Sequence, residues 1–296
     1  MKRHIINGNF DVRRFLLQVL LGVTVVIWGA GVAWAQEKPK PPESKPAEYF
    51  SDTFKFGFKD IRLQRFDPME KRPAVLLLHG ADGGVGVEKL YRGLAQRMAD
   101  KGYVVFIVHY LDATKPEPPE KISPLVKGVL RGKATKEQEK CAQGFFDTWT
   151  GCVTDAVGHI RQQPGVDGER VGIVGLSLGG FVCMSCAAQA NLKVKAVVCG
   201  FGGLRKDQRD AVKWLPPTLA VGGENDEVVP VAEVNALKDL ADCKKLPITV
   251  KIYPVGHVFQ LPGGKFHWWS MVDAERLTME HLGTHLLAPK GRAEGK

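Results

Sequence analysis

No arginine-rich block and no basic stripe interleaved with aromatic residues occurs in this 296-residue sequence, although its formal charge is +9. A nucleic-acid surface needs such a concentration of cations, so the charge reads as a solubilising one and no nucleic-acid partner is expected. The 33 glycines follow no collagen-like period, and apolar residues at 44% with charged residues at 25% are globular proportions, which excludes a disordered or fibrous chain. His281 and His285 lie four apart, but the intervening "LGT" lacks the acid of a metalloprotease helix. They read as part of a solvated C-terminal helix, and neither a metal nor a cofactor is expected. "CMSC", Cys183 to Cys186, has redox-dithiol spacing without thioredoxin-type surroundings, and reads as small residues buried in a helix.

What is present begins with an export-like end. Lys2, Arg3, Arg13 and Arg14 precede an apolar run from Phe15 to Trp34, and Ala33-Trp34-Ala35 offers a small-x-small cleavage site. Residues 1–35 therefore read as a signal peptide cut before Gln36. The competing reading is an uncleaved membrane anchor, because about 20 apolar residues span a bilayer. Location outside the cytoplasm, periplasmic or secreted, follows from the first reading, and contact with a membrane only from the second. Residues 36–48, with four prolines among charges, read as a solvated tether. The folded domain is expected over 49–288 and a disordered tail over 289–296. Without the leader, which holds four basic residues and Asp11, the charge falls to +6.

All six cysteines lie in the exported part, where disulfides can persist. Cys141 and Cys152 are within bridging reach only if Gly144 or Gly151 breaks the helix between them, since eleven helical residues span about 16 Å.

Beyond Tyr49, "TFKFGFKDIRLQRF" alternates as one or two outer strands turning at Gly57. Continuous apolar runs follow at 73–80, 103–110, 170–177, 195–202, 218–226 and 248–257, separated by helix-compatible segments. That alternation predicts an α/β fold, a mostly parallel sheet with helices on both faces. Ligands of such a sheet sit beyond the carboxyl ends of its strands. The Pro- and Lys-rich insertion at 111–140 leaves one of those ends, as a cap over the site or as an exposed excursion.

Three strand ends carry the residues that nucleophilic acyl transfer requires. "GLSLGG" fits the strand-to-helix turn G-x-S-x-G, in which Gly175 and Gly179 leave room for Ser177 to project. Asp226 and His257 end two later strands, in the chain order that accompanies this turn. A serine hydroxyl needs a base, here His257, and the base needs an orienting carboxylate, here Asp226, with Glu224 as the fallback two residues earlier. The amide of Leu178 and one from the loop "HGADGG", Ala81 or Asp82, are the candidate donors to a developing oxyanion. His79 reads as a residue fixing that loop, and His109 ends a strand with no partner named by the sequence. Trp149, Trp214, Trp268, Trp269 and Phe201 are candidates for an aromatic pocket wall, with Phe201 and Trp268 nearest to predicted strand ends.

On these residues, and on "GLSLGGFV", "GGENDEVVP" and "YPVGHVF", the chain resembles the α/β-hydrolases, and within them the dienelactone hydrolase-like group, over roughly Arg72 to Leu287. The resemblance implies an α/β-hydrolase fold and hydrolysis of a small carboxylic ester or lactone. Position 177 is serine where the namesake enzymes have cysteine, and "HGADGG" lacks their glutamate, so ester hydrolysis is the firmer expectation. Acyl transfer or peptide cleavage by the same triad, a binding protein with a vestigial triad, and a redox protein working through Cys183 and Cys186 are the rival readings.

Overall fold

The computed structural model describes residues 48–67, 71–83, 87–114, 124–126, 128–129 and 133–287. The expected leader and tether, the C-terminal tail, and residues 115–123, 127 and 130–132 of the insertion read as a cap or an exposed excursion lie outside the described residues.

Eight strands form one sheet in the order β1-β2-β4-β3-β5-β6-β7-β8. β1 (Glu48–Phe56) and β2 (Lys59–Asp67) are an antiparallel hairpin, and β2 pairs antiparallel with β4 (Val104–Val108). Gly57, at φ 57°, supplies the turn that a side chain would disfavour. The other strands run parallel: β3 (Arg72–Leu78), β5 (Val166–Leu176), β6 (Ala196–Gly200), β7 (Thr218–Gly223) and β8 (Ile248–Tyr253).

Successive side chains of a strand point to opposite faces, and here both faces are covered, which is why the central strands read as unbroken apolar runs. Ala74, Leu76 and Leu78 of β3 join the core under α2 (Lys136–Arg161), α3 (Leu178–Ala187) and α5 (Val231–Lys244). Val75 and Leu77 join the core under α1 (Glu88–Asp100) and α6 (Trp268–Leu286). A single turn, α4 (Lys206–Arg209), precedes β7.

The helices answer one open condition and correct one expectation. α2 opens on a capping box between Thr135 and Gln138 and runs unbroken through Gly144 and Gly151. Cys141 and Cys152 therefore sit three turns apart on one rod, beyond disulfide reach, and all six cysteines are free thiols. α6 is not a solvated helix: Ala274, Thr278, Leu282 and Leu286 are buried against the sheet, and His281 is half-buried with its Nε2 3.1 Å from the Pro217 carbonyl oxygen.

Candidate active site

Ser177 stands at the carboxyl end of β5 with φ 56° and ψ −119°, a backbone region costly for any side chain. The surroundings enforce it. Its N–H donates to the Gly200 carbonyl at the end of the neighbouring β6 (2.8 Å), and its own carbonyl accepts from Gly180 N–H (2.9 Å) as α3 begins. A Cβ on Gly179 would lie 2.5 Å from the Leu78 carbonyl oxygen, so helix and strand meet here backbone to backbone.

The structure brings three of the expected residues together. His257 Nε2 is 2.9 Å from Ser177 Oγ, and His257 Nδ1 is 2.8 Å from Asp226 Oδ2. The other oxygen of Asp226 accepts from the backbone N–H groups of Val228 and Val229, both at 2.8 Å. A carboxylate 1% exposed is costly to bury unless such donors replace its water, and the side chain of His257 is itself 16% exposed. Glu224 is exposed and its backbone N–H pairs with Tyr253, so the acid on the imidazole is Asp226.

The loop after β3 presses against the serine. A Cβ on Gly80 would stand 3.4 Å from Ser177 Cβ, and Gly83 N–H closes a turn onto the Gly80 carbonyl (3.2 Å) around Ala81 and Asp82. Two tyrosines hold this loop: Gly80 N–H donates to the Tyr91 hydroxyl and the Tyr110 hydroxyl donates to the His79 carbonyl, each at 2.8 Å. His79 is buried, with Nδ1 2.8 Å from the Gly80 carbonyl oxygen and its ring stacked on Tyr110 at 4.7 Å. Burial pushes its imidazole below the ordinary histidine range, although the Gly80 carbonyl opposes the shift. The buried ring of His109 lies 5.6 Å from that of His79. Leu178 opens α3, so its N–H has no carbonyl within the helix to pair with.

The aromatic candidates separate. Phe201 is buried at φ 51°, edge-on to His257 (5.9 Å) and to Phe259 (4.8 Å). Trp268 departs from expectation, because a small hairpin intervenes after His257, pairing Gln260 with Phe266, and carries it to the first turn of α6. There it is 61% exposed, and it lines neither of the cavities beside His257. Trp149 is core, packed on Tyr110, Phe145 and Phe146, while Trp214 and Trp269 are exposed. Both cavities are partly open to solvent; one is almost wholly apolar and includes Leu176, Phe201, Val258 and Phe259, and the other is more polar and includes Asn225, Glu227, His257 and Gln260.

Sequence reasoning did not find Gly200, Tyr91, Tyr110 or the amides of Val228 and Val229. Gly200 lies within the apolar run at 195–202, where nothing local marks it as the partner of Ser177. The others hold the site through pairings that no local pattern announces.

Val258 follows His257 at φ 49° and ψ 49°, and Phe259 has φ 64°. A β-branched residue there is an outlier costing on the order of 1–3 kcal/mol. Such strain persists where surrounding structure over-determines it, and here it surrounds one imidazole.

Comparison with known proteins agrees with this architecture. A protein from Synechocystis sp. bearing a provisional carboxymethylenebutenolidase name is 24% identical over 186 residues, 60% of this chain and 69% of the relative. Among solved structures, a dienelactone hydrolase-like promiscuous phosphotriesterase from metagenomic libraries superposes with TM-score 0.64 at 17% identity, covering 81% of this chain and 99% of that one. A dienelactone hydrolase from Anabaena variabilis gives 0.57 at 18% identity, covering 82% and 100%. An acylaminoacyl peptidase from Pyrococcus horikoshii gives 0.61 at 17% identity, covering 84% of this chain and 43% of that one. At these identities the structural likeness establishes the fold. The sequence profile of the dienelactone hydrolase family matches residues 63–284, well over half of the chain, and the chain therefore belongs to the dienelactone hydrolase family of α/β-hydrolases.

Proposed function

We propose that this family member is a serine hydrolase that cleaves a small carboxylic ester or lactone through an acyl-enzyme on Ser177. The observation that carries the reading is the pair of contacts made by one imidazole: Nε2 at 2.9 Å from the serine hydroxyl and Nδ1 at 2.8 Å from the Asp226 carboxylate. The hydroxyl oxygen attacks the ester carbonyl carbon while its proton passes to His257 Nε2. The carbonyl oxygen becomes an anion, which the N–H groups of Leu178 and of Ala81 or Asp82 stabilise. Collapse breaks the carbon–oxygen bond, and His257 returns the proton to the departing alkoxide. Water, activated by the same nitrogen, then releases the acid and restores the serine. Asp226 stays ionised throughout, holding the tautomer that presents a bare Nε2 and stabilising the imidazolium. In this reading the chain acts outside the cytoplasm, and its substrate is a small molecule.

The test is covalent labelling by a fluorophosphonate, with hydrolysis of short-chain aryl esters by the full chain. Ser177→Ala abolishes the label and lowers turnover by about five to six orders of magnitude if the three residues act as a unit. Undiminished esterase activity in that variant overturns the assignment. Acyl transfer to an added alcohol, or cleavage of an acyl-peptide in preference to an ester, would redirect it to the transferase or peptidase form of the same chemistry.

A further inference from the structure

Between α1, α6 and the sheet lies a cavity of about 90 Å³ whose lining is almost wholly apolar. Its wall toward the candidate site consists of chain neighbours of the reacting residues: Leu176 precedes Ser177, Val258 and Phe259 follow His257, and Gly200 accepts the Ser177 N–H. Ser177 and His257 do not themselves line it. Phe201 lines the cavity and also lies edge-on to the His257 ring at 5.9 Å, so one side chain borders both spaces. On the far side, Arg97 of α1 and Glu275 of α6 are joined by two hydrogen bonds of 2.5 and 2.9 Å, tying together the helices that enclose the space.

The cavity is partly open to solvent past Leu90, which is 42% exposed, so its apolar lining faces water until an apolar group covers it. Three non-glycine residues with left-handed backbone, Phe201, Val258 and Phe259, line this one cavity. Strain gathered at one wall points to a wall shaped for use, not for packing.

We infer that this cavity receives the alkyl chain of the ester, with the Phe201 side chain turning to join it to the space above Ser177. The inference rests on the proposed hydrolase function and narrows its substrate class to esters with a short apolar chain. By proportion with the roughly 150 Å³ cavity that takes the six carbons of benzene, the space holds a chain of about four carbons. The acid and alcohol portions of an ester carry the same apolar methylenes, so either one supplies this chain.

Two substrate series separate those sources: p-nitrophenyl esters from acetate to octanoate, and acetate esters of methanol to octanol. The readout is kcat/KM relative to the shortest member. Ala274→Leu, which adds volume inside the cavity, is expected to lower the four-carbon ratio tenfold or more in one series, the scale on which a hydrophobic pocket discriminates added methylenes. Met271→Ala, which enlarges the cavity, is expected to move the optimum to longer chains in that same series. Ratios unchanged within twofold for both variants in both series overturn the inference. Binding is read apart from turnover in Ser177→Ala protein carrying 13C-methyl methionine, titrated with 1-pentanol. The Met271 methyl resonance should shift with pentanol, and Ala274→Leu should remove that response; an unresponsive Met271 methyl overturns the inference. If the wild-type chain hydrolyses no ester while the Met271 shift is present and depends on Ala274, the cavity stands as an alkyl site and the hydrolase reading falls.

Discussion

The α-carbon of Gly175 faces the carbonyl of Gly179 so closely that a Cβ added at Gly175 would lie 2.1 Å from the oxygen. All three of its nearest neighbours are backbone atoms of Gly179 and Gly180, so relief requires the start of α3 to move. Gly175→Ala should lower stability by about 1–3 kcal/mol, the usual cost of overpacking. It should also reduce turnover by about a hundredfold, because displacing Ser177 by even an ångström spoils its alignment with His257. Gly144 on α2 is the contrast: it is exposed, and an added Cβ there meets no atom within 4 Å. Gly144→Ala should stabilise by about 0.5–1 kcal/mol, from helix propensity alone. Urea unfolding of both variants, beside esterase assays, checks the pair.

Asp226→Asn preserves shape and removes charge. The two backbone donors, Val228 and Val229, still find an oxygen, but an amide turned toward His257 offers N–H to Nδ1 and imposes the opposite tautomer. A loss of about four orders of magnitude in kcat is expected, with stability changed far less. A variant retaining more than a tenth of wild-type kcat would contradict the orienting role.

Thiol reactivity should split the six cysteines. Cys141 and Cys243 are exposed, while Cys152, Cys183, Cys186 and Cys199 are buried. Burial pushes the Cys186 thiol up to about 12 and the Cys183 thiol well above its ordinary value, suppressing the thiolate. At pH 8 the native chain should therefore take up two equivalents of a thiol reagent quickly and the other four after unfolding. Rapid modification of Cys183 or Cys186 in the native state would revive the dithiol reading, which needs both exposed.

Acid should weaken the fold through His79. Its imidazole is held below the ordinary range by burial, so between pH 7 and pH 5.5 the unfolded chain takes up a proton that the folded chain refuses. More protons on the unfolded state means stability falls as pH falls. His281, lowered chiefly by burial, acts with the same sign. Asp167 and Asp207, held below the usual carboxylate range by hydrogen bonds from Arg170 and Arg205, protonate only at lower pH and do not blur this window. The urea midpoint should drop from pH 7 to 5.5 in the wild type and drop less in His79→Gln, whatever the variant's stability at pH 7.

The parts of this fold most legible in the sequence were those where burial is complete. β3, β4 and β5 are covered on both faces, so their apolar runs mark them without reference to anything distant. The turn at Ser177 was legible because its glycines are demanded by local backbone crowding. Trp268 was not, since the Gln260–Phe266 hairpin that displaces it is defined by pairing across the loop. The continuity of α2 was equally obscure, because Gly144 and Gly151 weaken a helix in isolation while its buried face, with Trp149, Val153 and Ile160, holds it in the protein. The space between α1 and α6 is invisible in a linear string, being a gap between side chains far apart along the chain.

His257 follows β8, the terminal strand of the sheet, which pairs with β7, whereas Ser177 directly follows β5, which lies near the middle. The base and the hydroxyl thus answer to unequal local stabilities, since edge strands open at lower free energy than central ones. If the proposed hydrolase reading holds, fraying of that margin should withdraw the imidazole while the interior remains intact, so activity should be lost at a milder stress than the one that melts the molecule, with amide exchange along Ile248–Tyr253 showing the earlier event.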